Sequence, residues 1–198
     1  LVVNEKGKKN AELPAFVHIG QNAFGAGFLG SKVAPFLIGD PNNPMRNLTY
    51  AGGIDATHFQ QRVGLLHDLD RPFSSEMRDP EVAEYGIQFN GATELMRAKS
   101  VEAFDLSKED AKRVQRYGEG GFAKSMLIAR RLVEAGVRFV EVTLGGWDNH
   151  NDCFKRVPEL CATLDPALGN LIEDLNASGL LKKTLGDAEA KAFSEAKH

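Results

Sequence analysis

Cysteine and tryptophan are scarce in this sequence: two of the first, one of the second. Cys153 and Cys161 fall on one predicted helix, eight residues apart. At about 1.5 Å of rise per residue they stand roughly 12 Å from each other, too far for a mutual disulfide. No CxxC pair occurs, so the two thiols say little about the redox compartment. Cys161 fits an apolar helix face and reads as core, while Cys153 lies near the helix start. No apolar run approaches the length of a membrane span. Positive charge is not in surplus either. The formal net charge is −3, without a strong basic patch, which argues against nucleic acid as a partner. The glycine-rich Gly25–Gly30 lacks the GxGxxG spacing between a strand and a helix, so no dinucleotide or other organic cofactor is expected. The sequence starts at Leu1 without a signal-peptide pattern, which suggests a processed chain or a piece of a longer one.

What is present describes an ordinary globular chain. Its 198 residues are 42% hydrophobic and 26% charged, enough for one α/β domain with a core. Positions 1–12 and 186–198 read as flexible ends. The most regular stretch runs from 121 to 178. Phe122, Met126, Ile128, Ala129, Leu132 and Val133 recur at helical spacing. Gly136 stands where a helix end needs positive φ. Val137–Leu144 is β-branched and apolar, the strongest strand pattern in the chain. Gly145-Gly146 ends it. A last helix is expected from about Asn151 or Asp152. Its inward stripe is Phe154, Val157, Leu160, Cys161, Leu164, Leu168, Leu171, Ile172 and Leu175. Pro158 fits its first turn, and Pro166 predicts a kink or a split. Gly179 is a candidate C-cap.

Upstream, the polar start to Asn10 reads as an exposed loop. Leu13–Gly20 reads as a short buried strand, with His18 among apolar neighbours as a satisfied core histidine. Residues 20–53 form a long irregular region, typical of a functional loop or cap. Within it, Val33–Pro41 looks extended and closes into a turn. A helix is expected from an Asp55 N-cap to Leu69, with Phe59, Val63 and Leu66 inward and His58 and His67 solvated. Arg71-Pro72 ends it. Asp79-Pro80 opens the next helix, which reaches about Ala103. Ser107–Asp110 reads as a capping box before Ala111, Val114 and Tyr117, with its charges on a solvated face. After Leu185, a second parallel strand expected from βαβ logic does not follow.

Chemistry concentrates in Trp147-Asp148-Asn149-His150, immediately beyond the best strand. In α/β sheets, ligands bind past the carboxyl ends of strands. A carboxylate and an imidazole two residues apart are donors suited to a divalent cation. Asp and Asn before a helix are also ordinary turn and cap residues. Both readings stand on spacing alone.

Three segments together resemble the DUF1501 family, which is grouped with the alkaline phosphatase and sulfatase superfamily. The first combines Gly27-Phe-Leu-Gly30, Ala34-Pro-Phe36 and Gly39-Asp-Pro41. The second combines Ala103–Ser107, Arg116-Tyr-Gly118 and Ser125–Val140. The third, and most specific, is Gly146-Trp-Asp-Asn-His150 followed by Leu164-Asp165, Leu171–Leu175 and Gly179-Leu-Leu181. Asn149 departs from the family's usual Thr. The resemblance implies a helix-rich, partial α/β/α sandwich of alkaline-phosphatase-like type, with a long irregular N-terminal region. It implies a divalent metal (zinc, calcium or magnesium) at the strand ends, with Asp148 and His150 as its ligands. It also implies hydrolysis of phosphate or sulfate esters of small molecules or glycans, and an extracytoplasmic parent protein. The family's Glu-Phe-Gly-Arg and later Asp-His-Trp motifs are missing from this stretch. A truncated member with an incomplete active site is therefore expected. The alternative is a non-catalytic binding or structural module.

Overall fold

The computed structural model describes residues 2–21, 25–46, 48–77 and 80–184. A three-stranded parallel sheet holds β1 (Phe16–Ile19) between β2 (Phe36–Ile38) and β3 (Phe139–Val142), in the order β2-β1-β3. Val17 pairs with Phe36 and with Val140; His18 pairs with Leu37 and with Glu141. Side chains alternate across a strand, so the two faces part cleanly. Val17, Ile19 and Ile38 are buried on one face. Phe16, His18, Leu37, Phe139 and Glu141 share the other, where Leu37 and Phe139 remain substantially exposed.

The buried face rests on α5 (Gly120–Glu134), which carries more buried residues than any other helix among the described residues. Ile128, Ala129 and Leu132 meet Val17, Ile19, Ile38 and Phe104 in one cluster. Ala123, Met126 and Leu127 turn the other way, onto Tyr117 and Ala167. That second cluster packs α5 against α4 (Ala111–Tyr117) and α6 (Cys153–Ala177). Gly136 ends α5 at φ 91, as the sequence indicated. Val137 N–H then donates to the Leu132 carbonyl at 2.8 Å and turns the chain into β3.

Several elements differ from the sequence reading. A short helix α1 (Val2–Lys6) occupies the expected N-terminal loop, with Val3 buried. Helix α2 (Ala56–Met77) passes through Pro72 rather than ending there. A proline costs a helix one amide bond, and in an exposed stretch water accepts that loss. The Asp55 N-cap is present: its carboxylate accepts from the His58 N–H at 2.8 Å. Helix α3 (Pro80–Arg97) stops short of Ala103, and a 3₁₀ segment (Lys99–Phe104) follows. Asp79, the expected opener, lies outside the described residues, as does the tail from 185. The Ser107 capping box does not form. Ser107 sits in its own 3₁₀ turn, where Asp105 accepts its N–H, and Asp110 begins α4. Helix α6 is not split by Pro166. Its ring packs toward Gly118, and its carbonyl accepts from Asn170 at 2.7 Å. The apolar stripe of α6 fails at its start: Phe154 is 96% exposed, whereas Leu160, Cys161, Leu164, Leu168 and Leu171 are partly buried and Leu175 is buried.

Candidate functional site

The loop from β3 to α6 is shaped by its glycines and one amide. Gly146 adopts φ 92, a conformation that favours glycine. The Asn149 side chain donates to the Gly146 carbonyl at 2.8 Å and so tightens the turn. Asp152, at φ 54, precedes α6, and its carbonyl accepts from the Lys155 and Arg156 amides. Between these two supports, Asp148 Oδ1 and His150 Nε2 meet at 3.0 Å. Both side chains are open to solvent, at 89% and 85% exposure. The structure therefore brings the two sequence-predicted site residues together. Among the described residues, however, no group of three or more His, Cys, Asp or Glu side chains is disposed to hold a metal ion. The donor set fits a divalent cation in kind, and two donors fall short of the three or four protein ligands that zinc sites use.

A second polar cluster was read in the sequence only as a satisfied core histidine. His18 is 2% exposed, and its Nδ1 lies 2.9 Å from Glu141 Oε2 on the neighbouring strand. Its Nε2 is buried and has no hydrogen-bond partner. Half of the imidazole is satisfied and half is not. Beyond it, Gly20 adopts φ 138. A Cβ there would come 3.2 Å from Thr143 Cβ, 3.5 Å from Thr143 Oγ1 and 3.6 Å from His18 Nε2. Thr143 itself is exposed, while its N–H donates to the Ile19 carbonyl. In the first loop Gly146 lies against Leu160 of α6; His18 belongs to the sheet face opposite Val17 and Ile19.

A third cluster escaped the sequence reading altogether. Glu109, expected on a solvated face, is almost fully buried among three guanidinium groups. Arg130 approaches at 2.5 Å, Arg113 at 2.8 Å and Arg131 at 3.1 Å. Burial works to raise the Glu109 carboxyl; the Arg113 and Arg131 hydrogen bonds and the Arg130 and Arg113 charges outweigh it and hold it below its ordinary range. Asp174 of α6 completes the cluster, taking Arg116 at 2.6 Å and the Tyr117 hydroxyl at 3.1 Å. These contacts tie α4, α5 and α6 together. The available signal was the four-residue spacing of Glu109 and Arg113, and of Arg130 and Glu134.

These features define a helix-rich, mixed α/β protein built on a small parallel sheet, with its polar chemistry at the carboxyl edge of the strands. Over residues 1–185 the chain matches DUF1501, a family of proteins of unknown function, and it belongs to that family. Neither the curated proteins nor the solved structures give a match. Among the described residues, no helix is long and apolar enough to cross a membrane.

Proposed function

We propose that this chain is part of a metal-dependent hydrolase of phosphate or sulfate esters, in which Asp148 and His150 are two ligands of a divalent cation. The observation that carries the reading is their convergence at 3.0 Å on an open loop just past the end of β3. Strand ends of this kind are where α/β proteins place their ligands. The three parallel strands also suit a partial sandwich of the alkaline-phosphatase-like type. The cation, when bound, supplies the positive charge that activates an oxygen nucleophile and steadies a developing oxyanion. The chain's own part is to hold that charge: Gly146 and Asn149 set the turn, and Asp148 and His150 present the donors. The remaining ligands belong to parts of the protein outside the described residues. Zinc, calcium and magnesium are all candidates; the mixed carboxylate and imidazole set favours zinc.

A non-catalytic binding module is the second reading, favoured by the lack of a third donor among the described residues. Elemental analysis separates the two. The sample is the full native product carrying this loop, beside its Asp148→Ala and His150→Ala variants. Stoichiometric metal in the wild type and its loss in both variants is the expected result. A metal-free wild type after incubation with zinc, calcium and magnesium overturns the hydrolase reading and leaves the binding module.

A further inference from the structure

We propose that α6 pairs antiparallel with α6 of a second copy of this chain, across a two-fold axis near Ala162 and Thr163. The helix carries an apolar flank that the fold leaves open. Phe154, Val157 and Ile172 are exposed, and Cys161, Leu164 and Leu168 between them are only partly covered. These six recur at steps of three and four and so share one side of the helix. Eighteen residues make about five full turns, so Ile172 stands on the same line as Phe154, about 27 Å along the axis. The steps read nearly the same from either end, which is what a two-fold contact requires. Phe154 then meets Ile172 of the partner subunit, Val157 meets Leu168 of the partner subunit, and Cys161 meets Leu164 of the partner subunit.

The charges on α6 select the same helix as the partner. A helix favours acidic groups in its first turn and basic groups in its last. α6 has neither: Lys155 and Arg156 stand at its start, and Glu173 and Asp174 near its end. Asp174 is offset by Arg116 at 2.6 Å. Lys155 and Glu173 are exposed, and among the described residues neither has an ion-pair partner. They share one angular position on the helix, as Phe154 and Ile172 do, and so line one edge of the apolar flank. A two-fold axis normal to the helix pair keeps like edges together. Lys155 of each copy then lies beside Glu173 of the partner subunit, one ion pair at each end. A parallel arrangement would instead set like charges against each other, so the charges fix the orientation. Asp165 works against the contact. It is exposed near the middle of the flank, and the two copies bring their Asp165 carboxylates within about 7 Å along the axis. One helix pair of this length is a small interface, so the dimer exchanges with monomer and its Kd is micromolar.

The contact is independent of the cation proposed at Asp148 and His150, so the test is run on the full chain in EDTA, with reductant to keep Cys153 and Cys161 as thiols. Sedimentation equilibrium over a concentration series should show monomer exchanging with dimer. Phe154→Glu should weaken the dimer by about tenfold or more, since a charge replaces the most exposed apolar group of the flank. Lys155→Glu and Glu173→Lys should each weaken it several-fold, and the two together should restore it. Asp165→Asn should tighten it. All four side chains are exposed, so the variants keep the fold, which circular dichroism confirms. The double charge reversal also reads the contact without removing any apolar group. A chain that stays monomeric up to about 0.5 mM overturns the proposal and leaves the flank to another part of the native product. A dimer indifferent to Phe154→Glu, or a double reversal no tighter than the single ones, also overturns it and places the contact on another surface.

Discussion

Replacing Glu109 by Ala tests whether the charged cluster behind α5 holds the helices together. In the folded chain, one carboxylate faces Arg113, Arg130 and Arg131, and its side chain is only 4% exposed. Removing one partner of a buried ion pair costs about 3–5 kcal/mol, because the remaining charge is left dry and unpaired. Two observations place this case at the low end of that range. Arg113 is 39% exposed, so water takes up part of its loss. Arg130, at 5% exposure, keeps Glu134 at 2.7 Å. We therefore expect a loss of about 3 kcal/mol. In a protein of this size each kcal/mol moves the midpoint by about 2–4 °C, so Tm should fall by roughly 6–12 °C. Thermal unfolding followed by circular dichroism reads it directly. Glu102→Ala is the control: its pair with Lys108 is exposed at both ends, and it should move the midpoint little. A Glu109→Ala midpoint indistinguishable from that control would refute the reasoning, since the cluster would then carry no buried charge.

Two further predictions come from the same region. The Glu109 carboxyl is held below its unfolded value, so its contribution is present above about pH 4.3 and is lost as pH falls through the folded value. Wild-type stability should drop on that acid limb, and Glu109→Gln should flatten it in urea titrations run at successive pH values. The Tyr117 phenol is pushed the other way, first by burial, then by the Asp174 charge. Its stabilisation is intact below the unfolded value of about 10 and is lost as pH rises beyond it. Tyr117→Phe should therefore remove an alkaline decline that the wild type shows, and an unchanged alkaline limb would count against the Tyr117–Asp174 contact.

The elements that came through from the sequence share one property. Each rests on a signal carried within a few residues. Helix α5 has its apolar spacing, Gly136 its place at the helix end, and β3 its run of β-branched residues. Asp148 and His150 are legible as a pair for the same reason, since two residues of loop are enough to bring them together at 3.0 Å. The local signals that misled were the ones overridden from outside. Pro166 was expected to kink or split α6; the helix is not split, and packing toward Gly118 and the Asn170 amide support it there. The Ser107 capping box lost to the Asp105 turn. Phe154 fitted the inward stripe of α6, yet it is 96% exposed, with nothing among the described residues packed over it.

The sequence by itself determined the class of protein, the family, the central helix–strand–loop–helix and the adjacency of Asp148 and His150, because periodicity, glycine placement and short loops act over single elements. Only the tertiary structure decided what the buried polar residues do. His18 and Glu141 are 123 positions apart and meet through strand register. Glu109 and Arg130 are 21 apart and meet because α5 packs against the turn before α4. No local pattern marks such pairs, since their partners are set by chain pairing and burial rather than by neighbours in sequence.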